Sequence, residues 1–170
     1  MAGHGQRDHV KYRVQLTRMD FTVFSDEHYM KLAYKEALKA RDHGEIPVGA
    51  VIVCGRTIVA KTYNQTETLQ DVTAHAEILA VTAAANYLGA KYLTECTLYV
   101  TLEPCPMCAG AISWSQLQRL VFAATDPSKG FAKFQTKNQG LLHPKTEVVS
   151  GLYAGPCTQL IEDCFRELRN

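Results

Sequence analysis

Four residues in the middle of the chain have the types and the spacing of a catalytic metal centre: His75, Glu77, Cys105 and Cys108. Zinc binds imidazole and thiolate, and catalytic zinc sites use three protein ligands and keep a fourth position open for water. One histidine and two cysteines supply that ligand set, and two thiolates balance the charge of the ion. We therefore predict that His75, Cys105 and Cys108 bind one Zn²⁺ ion in each chain.

The chemistry of such a site explains why a carboxylate stands beside it. Zinc lowers the pKa of water toward about 7, so that hydroxide can attack the amidine-like carbon of a nucleobase. Ammonia leaves that carbon only after it is protonated. One carboxylate can take the proton of the water, deliver it to the ring nitrogen and then assist the departing amine. We predict that Glu77 is this general acid/base rather than a ligand.

The local structure must bring the four side chains to one point. Cys105 and Cys108 are three residues apart, so on a helix both sulfur atoms face one point near its N-terminus, where the dipole favours thiolate. His75 and Glu77 are two residues apart and point in different directions on a regular helix. They converge only in the first turn of a helix, which the loop before His75 permits.

Each half of this pattern is weak evidence when taken alone. A His-x-Glu pair occurs at many ordinary helix starts. Cys-Pro-Met-Cys is also typical of redox dithiols at a helix N-terminus, as in thioredoxin-like proteins, and of half of a structural zinc site. The chain has no second Cys-x-x-Cys pair to complete a four-cysteine site. His-x-Glu followed by Pro-Cys-x-x-Cys is the signature of zinc-dependent nucleobase deaminases.

Length and composition indicate an ordinary globular protein of one domain. The chain has 170 residues, of which 46% are hydrophobic and 21% charged, and this is enough for one hydrophobic core. A net charge of +1 argues against a protein that coats nucleic acid or a membrane surface. Six cysteines in a chain of this length do not indicate a disulfide framework, and no apolar run is long enough to span a membrane. We expect a cytoplasmic protein with reduced thiols.

The hydrophobic pattern predicts the elements that position the site. An N-cap at Ser25 and apolar residues at helical spacing predict an amphipathic helix that ends near Gly44. Alternating helices and strands favour an α/β fold, a three-layer α/β/α sandwich around a mixed sheet of about five strands. The strands are expected over residues 47–54, 57–63, 96–102, 120–124 and 148–152, the later helices over 74–88, 107–115 and 157–168, and the loops over 64–73 and 127–146.

The chain resembles the cytidine-deaminase-like superfamily, and most closely its branch of bacterial tRNA-specific adenosine deaminases. The resemblance implies the cytidine-deaminase-like fold and the hydrolysis of adenosine to inosine at the wobble position of tRNA, through the anticodon arm. It also implies a homodimer in which both chains shape the RNA site. The matching stretches are residues 46–51 (IPVGAV), Asn64, 73–78 (TAHAEI), 97–105 (TLYVTLEPC), 107–112 (MCAGAI) and 121–122 (VF) before Asp126.

By matched position, the resemblance also implies which residues hold the base. Asn64 would bind it with its side chain, and Val48, Ala76 and Pro104 with their backbone. The alternatives are a turn residue at Asn64 and simple burial at Val48 and Ala76. We divide the chain accordingly into a deaminase domain, residues 25–170, and an N-terminal extension, residues 1–24. We expect the extension to be partly disordered, or to precede a natural start at Met19.

Residues 127–146 favour RNA as the substrate. They combine basic and aromatic side chains and contain no acidic residue, which suits phosphate contacts and base stacking. A solvated loop is the alternative, and two arginines near the C-terminus either extend this patch or are ordinary helix-end charges. The candidate RNA-binding residues are Lys129, Phe131, Lys133, Phe134, Lys137, Arg166 and Arg169.

Two features favour a smaller substrate. The chain carries the run Gly130-Phe131-Ala132-Lys133-Phe134 where the tRNA enzymes usually carry Gly-Ala-Ala-Gly-Ser. Trp114, directly after Ile112-Ser113, is similar to the sequence of guanine deaminases at this position, although we expect this tryptophan to face the core. The alternatives are therefore a deaminase of a free base or nucleoside, such as guanine, cytosine or cytidine, a thiol oxidoreductase that uses Cys105 and Cys108, and a zinc-stabilised binding module. Glu77 disfavours the last, because a structural site needs no carboxylate beside the metal.

Overall fold

The computed structural model describes residues 24–136 and 139–169. Within them no helix is long and apolar enough to cross a membrane. Of the N-terminal extension, residues 1–23 lie outside the described residues. The elements are α1 (Asp26–Asp42), β1 (Gly49–Cys54), β2 (Thr57–Tyr63), α2 (Thr66–Leu69), α3 (Ala76–Leu88), β3 (Cys96–Leu102), α4 (Pro106–Trp114), β4 (Arg119–Ala124), a 3-10 helix (Phe131–Phe134), β5 (Glu147–Ser150) and α5 (Ala154–Glu167).

Five strands form one mixed sheet in the order β2-β1-β3-β4-β5. β1 pairs antiparallel with β2 and with β3, whereas β3, β4 and β5 run parallel to one another. Parallel neighbours need a crossover connection, and α4 supplies the one between β3 and β4. The prediction of a mixed sheet of about five strands is confirmed.

Helices cover both faces of the sheet, which confirms the three-layer α/β/α sandwich. On one face, Ala76 and Ala80 of α3 and Ile112 of α4 belong to one buried cluster with the sheet. On the other face, Met30 of α1 and Cys157 of α5 belong to a second cluster. Parallel strands buried on both sides read as continuous apolar runs, as the sequence of β3 and β4 does.

The first helix is held at its N-terminus and packs closely on the sheet. The Ser25 hydroxyl accepts a hydrogen bond from the His28 N–H (3.1 Å), which is the predicted N-cap. A Cβ atom at Gly49 of β1 would collide with the carbonyl of Ala33 in α1. Gly49 therefore permits the close approach of α1 and β1.

Three short elements were not predicted from the sequence, and the ends of several helices and strands differ from the predicted ones. Helix α2 lies in the predicted loop 64–73, and the 3-10 helix and a bridge between Thr136 and Gln139 lie in the predicted loop 127–146. Helix α5 begins at Ala154, three residues before the predicted start. Tertiary hydrogen bonds hold α2 and the 3-10 helix, as described below, and such contacts leave no periodic pattern in the sequence.

Candidate metal centre and base pocket

The structure brings His75, Cys105 and Cys108 together as a metal-binding group. The Nδ1 atom of His75 lies 3.8 Å from the Sγ atom of Cys105 and 3.5 Å from that of Cys108. All three atoms lie within 4.8 Å of one another. With Zn–S bonds of about 2.3 Å and Zn–N bonds of about 2.0 Å, tetrahedral zinc holds such atoms roughly 3.6 Å apart. The distances from His75 to the two sulfur atoms therefore fit a tetrahedral zinc ion.

The N-termini of two helices place these donors. His75 is the N-cap of α3 and Cys105 is the N-cap of α4, both with extended backbone, so each side chain points away from its own helix. Cys108 follows in the first turn of α4. Pro106 begins that helix, where its missing N–H group costs no hydrogen bond. Both helices direct the positive ends of their dipoles at the site, which favours thiolate over thiol.

The hydrogen bonds among the donors shift their protonation. A hydrogen bond with the Cys108 thiol, opposed by burial and reinforced by His75, lowers the pKa of Cys105 to about 4. The same hydrogen bond raises the pKa of Cys108, and the hydrogen bond with Cys105 raises the pKa of His75. One sulfur of the pair therefore already carries negative charge at neutral pH, as a ligand of a dication requires.

Glu77 lies beside this group in the first turn of α3, as the sequence predicts for a residue that converges with His75. Its side chain is buried and lines the same cavity as His75 and Cys105. Burial raises the pKa of the Glu77 carboxyl to about 7, against the opposing effect of a hydrogen bond to a backbone N–H. A carboxyl with a pKa near 7 can both accept and donate a proton near neutral pH.

A cavity of about 280 Å³ opens in front of the donors. This volume is at the lower end of the range for small-molecule sites, so it suits one base rather than a long ligand. Apolar side chains and polar groups share its wall. The lining residues are Ile46, Val48, Asn64, Thr66, His75, Glu77, Leu102, Glu103, Cys105, Asp126, Lys129 and Phe165.

The four residues implied to hold the base are not equally placed. Asn64 and Val48 line the cavity, and the Asn64 N–H donates to the Val48 carbonyl (3.0 Å). Ala76 and Pro104 are not among the lining residues. The carbonyl of Ala76 accepts from the Thr62 hydroxyl (2.7 Å), and that of Pro104 accepts from the N–H of Phe131 (2.8 Å). Backbone contacts from these two residues to the base stay a prediction.

The loop of residues 126–132 is held beside the site by the carboxylate of Glu103. Its oxygens accept hydrogen bonds from the N–H groups of Asp126 (2.9 Å) and Ala132 (3.0 Å). A Cβ atom at Gly130 would collide with the same carboxylate. Glu103 lies in the matched TLEPC stretch, but the sequence analysis gave it no role. Only the structure reveals that it fixes the loop that carries Lys129.

The candidate RNA-binding residues are dispersed. Phe131 is 4% exposed and packs edge to face on Phe122, with ring centroids 6.0 Å apart. The prediction that Phe131 stacks on a base is therefore wrong, because the 3-10 helix turns this ring into the core. Phe134 is exposed, and the ammonium of Lys133 lies 5.9 Å from its ring centroid. Lys129 is exposed and lines the cavity.

The C-terminal residues are placed differently from the prediction. Arg166 pairs with Asp163 (3.1 Å), and neither Arg166 nor Arg169 lines the base cavity. Lys137 lies outside the described residues. Phe165 of α5, for which no role was predicted, is exposed and lines the cavity. Its helical spacing gave no sign of this role.

The exposure of Trp114 contradicts its expected core position. This side chain is 85% exposed at the end of α4, and Met107 of the same helix is 38% exposed. The two residues are seven apart and so lie on one side of the helix. The outer side of α4 is therefore an apolar surface.

Comparison with known proteins points to one family. The model of the cytidine and deoxycytidylate deaminase zinc-binding region matches residues 24–124. The tRNA-specific adenosine deaminase of Bacillus subtilis is 45% identical over 146 residues, which are 85% of this chain and 91% of that protein. That of Agrobacterium fabrum is 41% identical over 144 residues, 84% of this chain and 95% of that protein.

Solved structures agree with this match. A structure from a study of A-to-I editing by tRNA:A34 deaminases at the wobble position of transfer RNA has a TM-score of 0.74 and 41% identity. The alignment covers 78% of this chain and 98% of that one. A guanine deaminase from Bacillus subtilis has a TM-score of 0.57 and 42% identity, over 59% of this chain and 65% of that one.

Proposed function

The chain belongs to the zinc-binding family of cytidine and deoxycytidylate deaminases, and from this premise we propose that it converts adenosine to inosine at the wobble position of tRNA. The observation that carries the proposal is the similarity to tRNA-specific adenosine deaminases over most of both chains. The reaction consumes water and adenosine and yields inosine and ammonia. A thiol oxidoreductase is not favoured, because the two cysteines share their site with His75 in a zinc-binding region.

The metal centre that we propose consists of one zinc ion per chain, held by His75, Cys105 and Cys108. Bound there, zinc would supply Lewis acidity and make water a stronger acid. The donor distances support this assignment, since they match those of a tetrahedral site.

Glu77 moves the protons in the reaction that we propose. Its carboxylate takes a proton from water and delivers it to the ring nitrogen next to the reacting carbon. It then takes the second proton of that water from the new hydroxyl on the carbon and passes it to the amino group, which leaves as ammonia. Burial in the cavity wall and a pKa of about 7 support both directions of transfer. Water attacks the ring carbon as the carboxylate accepts its proton, so the carbon gains oxygen and loses nitrogen.

Asn64 positions the base with its side chain in this proposal, and Val48, Ala76 and Pro104 contribute backbone contacts. The base must leave its stack to enter a cavity of this size, and exposed aromatic rings at the rim can replace the lost stacking. Phe165, which lines the cavity, is such a ring, and Phe134 is a second exposed ring on the 3-10 helix. Lys129 offers a positive charge to the phosphates.

A homodimer is the assembly that we propose, with the outer side of α4 as part of its interface. Large exposed apolar side chains that lie together mark interaction surfaces. Met107 and Trp114 form such a pair, and Tyr87 near the end of the neighbouring α3 is also exposed. With tRNA as its substrate, the protein would act in the cytoplasm.

A deaminase of free guanine is the second candidate. It is favoured by the 42% identity to the guanine deaminase of Bacillus subtilis, although that match covers only 59% of this chain.

One experiment separates the candidates. Zinc-loaded protein is offered an anticodon stem-loop RNA with adenosine at the wobble position and, in parallel, guanine, cytosine, cytidine and adenosine, and ammonia release is measured. We expect release with the stem-loop alone. Release with guanine alone would move the protein to the second candidate. No release with any substrate would contradict both.

A further inference from the structure

Glu45 is a buried carboxylate beside the base cavity with no role in the reaction described above. It is 2% exposed, lies in the segment between α1 and β1 and is not a metal-site donor. Its two oxygens accept four hydrogen bonds from the segment that carries Asn64. The donors are the Thr68 N–H at 2.7 Å, the Glu67 N–H at 3.1 Å, the Asn64 Nδ2 at 3.2 Å and the Thr66 hydroxyl at 3.3 Å.

These donors keep the carboxyl of Glu45 ionised. Burial alone would raise its pKa, but the N–H groups of Thr68 and Glu67 and the hydroxyls of Thr68 and Thr66 outweigh burial and lower it. An ionised carboxylate has no proton to donate and can only accept hydrogen bonds. The Asn64 atom that faces Glu45 must therefore be the amide nitrogen, and the amide has one permitted orientation.

Both N–H groups of the Asn64 amide have partners within the protein. One donates to Glu45 and the other to the Thr66 oxygen at 3.3 Å, while the hydrogen of that hydroxyl is used toward Glu45. Among the described residues, the Asn64 carbonyl oxygen has no hydrogen-bond partner, and the Tyr29 hydroxyl is the one unpaired side-chain polar atom that is fully buried. The Asn64 oxygen is therefore not fully buried, and Asn64 lines the cavity, so this oxygen is open to it.

We propose that Glu45 is a positioning residue that fixes the Asn64 amide with its carbonyl oxygen toward the base cavity, so that the substrate group bound there must be a hydrogen-bond donor. An amino group or a hydroxyl of the nucleotide fits this acceptor, whereas a ring nitrogen with only a lone pair does not. The proposal rests on the proposed function, in which Asn64 contacts the substrate.

The same carboxylate also fixes the wall that Asn64 shares with Thr66. By accepting from the backbone of Glu67 and Thr68, Glu45 holds the start of α2 against the segment before β1. This segment leads into Ile46 and Val48, which line the cavity. One buried charge therefore links the two segments that form this side of the site.

A charge swap between Glu45 and Asn64 tests the orientation of the amide. Asn64→Asp keeps an oxygen for the substrate but sets a second carboxylate against Glu45, and we expect kcat/KM to fall about 100-fold. Glu45→Gln allows the amide to turn over, and we expect a loss of about tenfold. In the double variant the new glutamine donates to the new aspartate, which still presents an oxygen to the cavity. We expect it to return to within about tenfold of the wild type.

A double variant that is no more active than Asn64→Asp would overturn the proposal. That result would mean that the substrate needs the N–H group of Asn64, which an aspartate cannot supply. Glu36→Gln is the matched control, since Glu36 is 4% exposed in α1 and pairs with Lys39 on the surface. This control should leave kcat/KM unchanged. Zinc content and the thermal midpoint of each variant separate a changed amide from a changed fold.

An NMR measurement tests the proposal without turnover. The side-chain amide protons of Asn64, assigned with Asn64→Ala, should exchange slowly with solvent in the wild type and about tenfold faster in Glu45→Gln. Unchanged exchange would overturn the proposal. Kinetic ratios are taken with whichever substrate the wild type deaminates. Activity with guanine alone would contradict the proposed function, but the charge swap, measured with guanine, would still test the role of Glu45. If the protein deaminates none of the substrates, the NMR measurement alone tests that role.

Discussion

The two sides of the base cavity are built in different ways. On the metal side, His75 and Cys105 are N-caps of helices packed on the sheet, and Glu77 is buried in the first turn of α3. On the outer side, Lys129 lines the cavity from an exposed loop, and the 3-10 helix that follows carries the exposed Phe134. Helix N-termini packed on the sheet therefore position the catalytic groups, whereas the substrate face depends on loops that are held by a few hydrogen bonds to buried carboxylates.

Loss of a metal ligand should damage both sides at once. For Cys108→Ala we expect loss of the bound zinc, loss of turnover and a lower thermal midpoint, because the two helix starts no longer share an ion. Zinc analysis, ammonia release and thermal unfolding measure the three effects. Cys164→Ala is the control, since Cys164 is half-buried in α5 and is not a metal ligand. This variant should retain its zinc. A Cys108→Ala protein with full zinc content would contradict the ligand assignment.

Loss of the proton carrier should affect chemistry alone. For Glu77→Ala we expect kcat to fall by about 10³-fold or more, while the zinc content stays that of the wild type. The RNA affinity should also stay the same, because the outer side of the cavity is intact. Retained turnover in this variant, measured as inosine formed in a single turnover, would defeat the role of Glu77.

A change at Gly130 should disturb the outer side and spare the metal. The new methyl group of Gly130→Ala would push against the Glu103 carboxylate and weaken its hydrogen bonds to Asp126 and Ala132. We expect kcat/KM to fall about tenfold with zinc content unchanged. Gly140→Ala is the control, since a Cβ atom there meets nothing closer than the Leu142 carbonyl at 3.9 Å. Equal effects of both variants would rule out the coupling through Glu103.

Loss of surface lysines should have the smallest effect and act on RNA binding only. For Lys129→Ala combined with Lys133→Ala, we expect weaker stem-loop binding and a slope of log affinity against log salt reduced by about 1.4, roughly 0.7 for each phosphate contact on a single-stranded loop. Lys35→Ala in α1, which is exposed and away from the cavity, is the control. An unchanged salt slope would remove these lysines from the RNA face.

The same contrast explains how much could be predicted from the sequence. The ligand group, Glu77 and the three-layer fold follow from short motifs and hydrophobic periods, which report local structure. The inward turn of Phe131, the exposure of Trp114 and the cavity position of Phe165 could not be predicted. Each depends on which face of a helix meets the rest of the protein, and the composition does not determine that.

The roles of two buried carboxylates also could not be predicted from the sequence. Glu45 and Glu103 are separated along the chain from most of the groups that they hold, and their partners are mainly backbone N–H groups, which every sequence contains. A sequence pattern can therefore place such residues beside a motif without giving them a partner. Their burial and hydrogen bonds assign their roles only once the fold is known.

Hydrolysis of adenosine at the wobble position is tested most directly by an isotope measurement. The zinc-loaded protein is incubated with the adenosine-containing anticodon stem-loop in oxygen-18 water, and the digested RNA is analysed by mass spectrometry. We predict inosine at that position with one oxygen-18 atom on the base, formed together with ammonia. Adenosine that stays unchanged, while free guanine or cytosine is hydrolysed under the same conditions, would contradict the proposed function.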